Sequence, residues 1–100
     1  MSIILQVDFK FEGPFGSTMA SAFQELASGI NQEEGFKMKV WTENEANGEA
    51  GGIYFFEDER TAQQYWDMHS KRLASFGVHH ANAKIFHINK QLSELNHFPI

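Results

Sequence analysis

Apolar and polar residues alternate along three stretches of the chain, residues 3–11, 36–43 and 78–89, which predicts three half-buried β-strands. Residues 51–56 instead form a short apolar run without charge, which is typical of a central strand buried on both faces. Asn47-Gly48 precedes this run, and that pair tolerates the positive φ of a tight reversal. The second and third strands are therefore expected to form a hairpin.

Apolar residues recur at helical spacing in residues 19–30 and 62–76, which predicts two amphipathic helices. Ser17 is a candidate N-cap for the first helix and Asp58 for the second, since both side chains can accept a backbone hydrogen bond. Gly77 is a natural end for the second helix. The helices fall between the first and second strands and between the third and fourth strands.

The predicted order is βαββαβ, followed by a short helical pattern in residues 90–100. This order is typical of the ferredoxin-like α+β fold, in which a four-stranded antiparallel sheet carries both helices on one face. We expect one domain over residues 1–100, because a chain of this length has enough residues for a single core.

The face of the sheet away from the helices is expected to be too apolar to remain in water. The residues assigned to it by alternation are Trp41, Phe86, Ile88 and either Ile53 or Tyr54, among Gln6, Asp8, Lys37 and Lys39. A second copy of the sheet would cover this face through a two-fold interface. The sequence therefore predicts a homodimer through the open sheet face, a dimeric α/β barrel.

Charge and composition narrow the class of protein. The net charge of −5 argues against a nucleic-acid surface, which is normally basic. The chain has no cysteine, so disulfides and thiol chemistry are excluded. The N-terminal residues lack the features of a signal peptide or a membrane span. We therefore expect a cytoplasmic protein that binds neither membrane nor nucleic acid.

Trp41 and Asn44 lie near the end of the second predicted strand. Two roles are open for Trp41: contact with a partner subunit, or stacking on a flat aromatic substrate. Asn44 is a candidate hydrogen-bond partner for a phenolic or quinone oxygen, and Tyr54 is a candidate second wall.

A second cluster lies on the second predicted helix, where Tyr65, Trp66, His69 and Arg72 share one side by their three- and four-residue spacing. His69 is a candidate general base toward a phenol, and Arg72 is a candidate to stabilise the resulting anion. Tyr65 and Trp66 are candidate aromatic walls. The alternative for His69 is a half-buried histidine that only hydrogen-bonds a backbone carbonyl.

No metal site is predicted. His79 and His80 are adjacent and point to opposite faces of a strand, so they cannot readily share one ion. Gly51-Gly52 does not open a helix in a GxGxxG pattern, so it is no dinucleotide fingerprint, and close packing of helix on sheet is its simplest explanation.

Four segments resemble the YdhR family of small dimeric α/β-barrel monooxygenases: FKFEGPFG at Phe9–Gly16, INQEEGFKMKVWTE at Ile30–Glu43, EAGGIYFFEDE at Glu49–Glu59 and KIFHINKQLSELN at Lys84–Asn96. They follow in the same order and cover nearly the whole chain. The family is similar to cofactor-independent monooxygenases that form quinones, oxidise polycyclic phenols with dioxygen, and carry their site between sheet and helices.

The resemblance implies a monooxygenase that oxidises an aromatic small molecule, phenolic or polycyclic, without a bound cofactor. Two alternatives stay open: a non-catalytic barrel that binds a small hydrophobic ligand, and a haem-binding or haem-degrading barrel with His69 as axial ligand.

Overall fold

The computed structural model describes residues 3–99. Its strands are β1 (Ile3–Lys10), β2 (Phe36–Asn44), β3 (Glu49–Phe56) and β4 (Asn82–His87). Its helices are α1 (Gly16–Ala22), α2 (Gln24–Ile30), α3 (Glu59–Ser75) and α4 (Lys90–Leu95), and a 3₁₀ turn (Glu45–Asn47) joins β2 to β3. The single domain was predicted over residues 1–100, and the tail was predicted to run to Ile100. Met1, Ser2 and Ile100 lie outside the described residues.

The four strands form one antiparallel sheet in the order β2-β3-β1-β4. This is the ferredoxin-like α+β arrangement, so the predicted fold class is confirmed. The core lies between the sheet and the helices and is built from β1, β3, α2 and α3; its buried members are Ile3, Leu5, Val7, Ile30, Tyr54, Phe56, Ala62 and Tyr65.

The long helix α3 has the predicted signals at both ends. The Asp58 side chain accepts a hydrogen bond from the backbone N–H of Thr61 at 2.8 Å. Beyond its last turn, Gly77 adopts φ 91°, and the N–H groups of Gly77 and Val78 donate to the carbonyls of Ala74 and Leu73. This pair of bonds is a Schellman motif, which satisfies carbonyls that the helix leaves free.

The first predicted helix is in fact two short helices that meet at Phe23, where the backbone leaves helical geometry at φ −108° and ψ 15°. The prediction that Ser17 caps it is wrong, because α1 already begins at Gly16. Instead, the Gly16 N–H donates to a carboxylate oxygen of Glu43 at 2.9 Å, which ties the start of α1 to the end of β2.

A β-bulge reverses the faces that alternation predicts for β2. Phe36 pairs with Phe56 and Met38 pairs with the next residue of β3, Phe55, so Lys37 is an extra residue in the ladder. One extra residue moves every later side chain to the opposite face. The predicted faces of β2 are therefore wrong beyond the bulge.

Two sets of side chains exchange places as a result. Met38 and Val40, which alternation placed with the core-facing Phe36, are 44% and 52% exposed on the open face. Lys39 and Trp41, expected on the open face, lie on the helix face instead, in register with Tyr54 and Gly52 of β3.

The open face keeps part of its predicted apolar character. Met38 and Val40 on β2 and Phe86 on β4 are exposed there at opposite edges of the sheet. Between these edges, the Phe55 ring of β3 stacks on the Phe98 ring at 5.7 Å between centroids. Ile88 was expected on this face but is buried, because β4 ends at His87 and alternation no longer applies. Within residues 3–99, no helix has the length and apolarity needed to cross a membrane.

Candidate functional site

An open cavity of about 1170 Å³ lies between the helix face of the sheet and the helices. Side chains from β1, β2, β3 and α3 line it, together with the loop that leads into α1. The lining is rich in aromatic rings: Phe9, Phe11, Phe15, Phe23, Trp41, Tyr54 and Phe76. This volume is slightly above the roughly 300–1,000 Å³ of most small-molecule sites, so it is large enough for a polycyclic ligand.

The rings on one side of the cavity contact one another in series. Trp41 and Phe23 are stacked at 20° with centroids 6.2 Å apart, and Phe11 lies 6.2 Å from Phe23. Phe11 in turn packs edge-on against Phe9 and Phe15. The break between α1 and α2 falls at Phe23, whose ring is the one stacked on Trp41. The wall therefore presents flat apolar surfaces that suit an aromatic ligand.

A buried polar cluster forms the opposite end of the cavity. His69 is only 4% exposed and stacks on the Tyr65 ring at 5.1 Å, with Tyr54 6.3 Å away. The Arg72 guanidinium donates to Nδ1 of His69 at 3.2 Å and to the Tyr65 hydroxyl at 3.3 Å. His69 and Tyr54 reach the cavity surface, whereas Arg72 and Tyr65 lie behind them.

His69 is held neutral by this environment. Burial, followed by the charges of Arg72 and Lys39, lowers the pKa of His69 to about 3. A guanidinium can only donate hydrogen bonds, so Nδ1 of His69 is the acceptor and the imidazole proton resides on Nε2. His69 is therefore a hydrogen-bond donor at neutral pH, and the geometry does not support the predicted role of general base.

Lys39 is the cavity residue that sequence reasoning did not select. Its Nζ lies 3.3 Å from the centroid of the Trp41 ring and 4.4 Å from that of Tyr54. Burial and the charge of Arg72 lower the pKa of Lys39 from 10.5 to about 7. The two rings favour the ammonium form, yet desolvation outweighs them. Lys39 is thus present as free amine and ammonium in comparable amounts near neutral pH.

Gly52 makes room for the Lys39 side chain. A Cβ at residue 52 would lie 2.5 Å from Cε of Lys39 and 3.4 Å from its Nζ. At Gly51 the close neighbour is different, because a Cβ there would collide with the carbonyl oxygen of Val7 on β1. The prediction that the glycine pair marks close packing of helix on sheet is therefore wrong, because the nearest atoms belong to the Lys39 side chain at Gly52 and to strand β1 at Gly51.

The structure brings together some of the predicted site residues and leaves others out. Trp41, Tyr54 and His69 line the cavity, and Arg72 and Tyr65 support His69 from behind. Trp66 packs edge-on against His69 but does not line the cavity. Asn44 is exposed, and its side chain accepts from the N–H of Asn47 to cap the 3₁₀ turn, so it lies outside the site.

The sequence carried only a weak signal for Lys39. A lysine in an alternating strand is usually a solvated residue, and a bulge at Lys37 leaves no distinctive residue pattern. The glycine pair on the neighbouring strand was the available clue, since glycine inside a strand marks a close approach.

The fold and the cavity define a class: a ferredoxin-like α+β protein with a large aromatic cavity between its sheet and its helices. The family model described as "Putative mono-oxygenase ydhR" matches residues 4–99, and the chain belongs to that family. This confirms the resemblance seen in the sequence. No curated protein matches the chain.

Solved structures include a protein of similar fold. The cofactor-independent oxygenase SnoaB of Streptomyces nogalater, solved as an asparagine-to-alanine mutant, superposes with a TM-score of 0.61. The match covers 88% of this chain and 93% of that chain, at 14% sequence identity. At this identity the similarity shows a common fold.

Proposed function

We propose that this protein is a cofactor-independent monooxygenase that oxidises a phenolic or polycyclic aromatic molecule with dioxygen. The observation that carries the proposal is the cavity itself, which joins a wall of aromatic rings around Trp41 to a buried polar end at His69. Membership of a family described as mono-oxygenases supports the reaction class. The fold shared with a cofactor-independent oxygenase is consistent with it.

The reaction balances without an external reductant. A phenol with a free para C–H reacts with one O₂ to give a para-quinone and one water. One oxygen atom enters the ring, the other leaves as water, and the substrate supplies all four electrons. A phenolate transfers an electron to O₂ more readily than the phenol, so the site must favour loss of the phenolic proton. His69 lines the cavity, and its Nε2–H would donate a hydrogen bond to the developing oxyanion.

An oxygen electrode tests this proposal. Protein freed of metals by chelation should consume O₂ with at least one of a panel of anthrones and naphthols that have a free para C–H. Trp41→Ala should lower kcat/KM by about tenfold or more, because a stacked ring contributes roughly 1–3 kcal/mol to holding an aromatic ligand. Leu95→Ala is the control, since Leu95 is exposed on α4 and does not line the cavity. Background rates with every compound would contradict the proposal.

A non-catalytic barrel would bind its ligand in the same cavity, and the same panel of compounds tests this alternative. In that case the compounds would bind without O₂ consumption. The haem alternative is tested by adding haemin: a Soret band that is lost in His69→Ala would support it, and no spectral change would contradict it.

We also propose that the protein is a homodimer whose open sheet faces meet. The support is a row of apolar residues that crosses the open face in register, from Met38 on β2 through Phe55 and Ile4 to Phe86 on β4. Met38 and Phe86, at the ends of this row, are exposed, as is Val40. Contiguous apolar patches on small proteins usually mark interfaces, and two-fold contacts bring the same patch of each copy together.

A further inference from the structure

Among residues 3–99, no carboxylate pairs with Lys39, although the protein is acidic. Ion pairs in this part of the chain include Arg60–Glu34, His87–Glu59 and Lys90–Glu94, all three at exposed positions. Lys39 is instead half-buried over two aromatic rings, and it faces a cavity. A desolvated amine without a counter-ion is a costly feature to retain in a fold. The unpaired amine of Lys39 therefore indicates that a bound ligand supplies the opposite charge.

The titratable groups that lie nearest to Lys39 in the cavity do not supply a negative charge. Tyr54 on β3 and the pair His69 and Arg72 on α3 lie nearest, and burial raises the pKa of Tyr54 far above neutrality, so no anion arises there. Farther along the walls lie Lys10, Glu12 and Glu45. The pKa of Lys39 responds to burial and to Arg72, and no carboxylate is among its causes.

We propose that the ε-amino group of Lys39 is the proton acceptor of this site and that its substrates are phenols that bind as phenolates. The position of Nζ on the cavity surface, the room left by Gly52, and the lack of a carboxylate partner carry this assignment. It deepens the proposed oxygenase function and rests on it.

The step is a proton transfer. The amine lone pair of Lys39 takes the phenolic proton, the O–H bond breaks, and its electron pair remains on the oxygen. The product is an ammonium beside a phenolate, so the buried charge gains its counter-ion as it forms. His69 Nε2–H donates to the same oxyanion, and no other co-reactant is needed for this step. Dioxygen then reacts with the phenolate as proposed above.

A coloured phenol bound in the absence of O₂ tests the proton transfer apart from turnover. 1,8-Dihydroxyanthraquinone changes its visible spectrum when it loses a phenolic proton. We expect wild-type protein at pH 7.5 to bind it with the spectrum of the anion, although the free dye is neutral at that pH. Lys39→Met should bind the dye with the neutral spectrum, because the apolar chain is kept and the amine is lost.

Two further variants distinguish proton acceptance by Lys39 from the effect of its positive charge. Lys39→Arg keeps a cation but cannot accept a proton near neutral pH, so it should still bind the dye as the anion, yet lose turnover as Lys39→Met does. Lys71→Met removes an exposed lysine on α3 and should behave like wild type. For a substrate found in the oxygen panel, wild-type kcat/KM should rise with pH through about 7, the value to which the pKa of Lys39 is lowered in the free protein. Lys39→Met should lose that rise and at least about tenfold in kcat/KM.

The outcomes distinguish the two proposals. If wild type binds the dye with the neutral spectrum, or if Lys39→Met still ionises it, the assignment of Lys39 is overturned and the oxygenase proposal stands. If wild type ionises the dye but no compound of the panel consumes O₂, Lys39 is a phenolate-binding group and the oxygenase proposal fails. An unfolded Lys39→Met is recognised by circular dichroism, and the Lys39→Arg arm then decides.

Discussion

Residue 52 determines whether the Lys39 amine can occupy its place over Trp41 and Tyr54. The side chain of Lys39 crosses the backbone of β3 where glycine leaves a gap. The neighbouring Gly51 is a glycine for another reason, since a Cβ there meets the Val7 carbonyl of β1. The two adjacent glycines therefore have different roles, one in the site and one in the sheet.

This difference gives a paired prediction. Gly52→Ala should fold with a stability change of less than about 1 kcal/mol, because the crowded atom belongs to a flexible side chain that can move aside. It should displace the amine and lower oxygen consumption about tenfold. Gly51→Ala should lose more than about 2 kcal/mol of unfolding free energy, because a backbone carbonyl cannot move without breaking strand pairing.

Urea unfolding and kcat, measured on both glycine variants, check this prediction. Equal loss of stability in the two variants would contradict the separate roles. Full activity in Gly52→Ala would show that the position of the amine is unimportant to the site.

The helix α3 positions the polar end of the cavity, since it carries His69 and Arg72 within one turn. Its first turn is held by the Asp58 side chain, which also accepts a hydrogen bond from the Thr61 hydroxyl at 2.9 Å. Both bonds favour the carboxylate and lower the pKa of Asp58. The lowered pKa means that this stabilisation is present above the ordinary Asp pKa and is lost as the pH falls through the folded value.

Asp58→Ala should therefore lower the Tm at neutral pH by about 4–8 °C, the usual loss for an N-cap in a domain of this size. The difference from wild type should shrink in acid, where the carboxyl of Asp58 is protonated in both states. Asp67→Ala, a change at an exposed position in the middle of α3, is the control and should leave the Tm within about 2 °C. Calorimetry at neutral and acid pH measures the Tm of both variants and of the wild type. A Tm difference between Asp58→Ala and wild type that stays constant across pH would contradict the capping role of the Asp58 carboxylate.

The two halves of the site were not equally predictable. The period of α3 predicted that Tyr65, His69 and Arg72 share one side, and they do contact one another. The faces of β2 were predicted wrongly, because one bulge residue near its start inverted the alternation that places Lys39 and Trp41. Asn44 was chosen by its residue type, and only the structure shows that its side chain caps the next turn.

The fold could be predicted from the pattern of apolar and polar residues because many weak local signals agree on one topology. The Asp58 cap and the turn before β3 are two of these signals. The ionisation of the site could not follow from the pattern. The pKa values of Lys39 and His69 depend on burial and on the nearby charge of Arg72, which are properties of the assembled molecule.

At the level of the whole molecule, the sheet separates two surfaces with different proposed roles. The helix face encloses the cavity, and the open face exposes Met38, Val40 and Phe86. If two copies meet through the open face, a charge there should disrupt association without touching the cavity. Burying an unpaired carboxylate in an apolar interface is strongly unfavourable.

Val40→Glu should therefore convert a dimer to a monomer in light scattering after size-exclusion chromatography. Met68→Glu places the same charge at an exposed methionine on α3, away from the sheet, and should remain dimeric. A monomeric wild-type protein at high concentration would contradict the proposed dimer, as would a Val40→Glu variant that stays dimeric.

Isotope labelling of the product tests the central claim most directly. Chelator-treated protein is incubated under ¹⁸O₂ with the phenol or anthrone that gives the fastest oxygen uptake, and the product is analysed by mass spectrometry. A monooxygenase that needs no cofactor should yield a quinone with one ¹⁸O atom from O₂, at a rate well above buffer and reduced in Trp41→Ala. A quinone without ¹⁸O, or a rate equal to that of buffer, would contradict the assignment of this protein as an oxygenase.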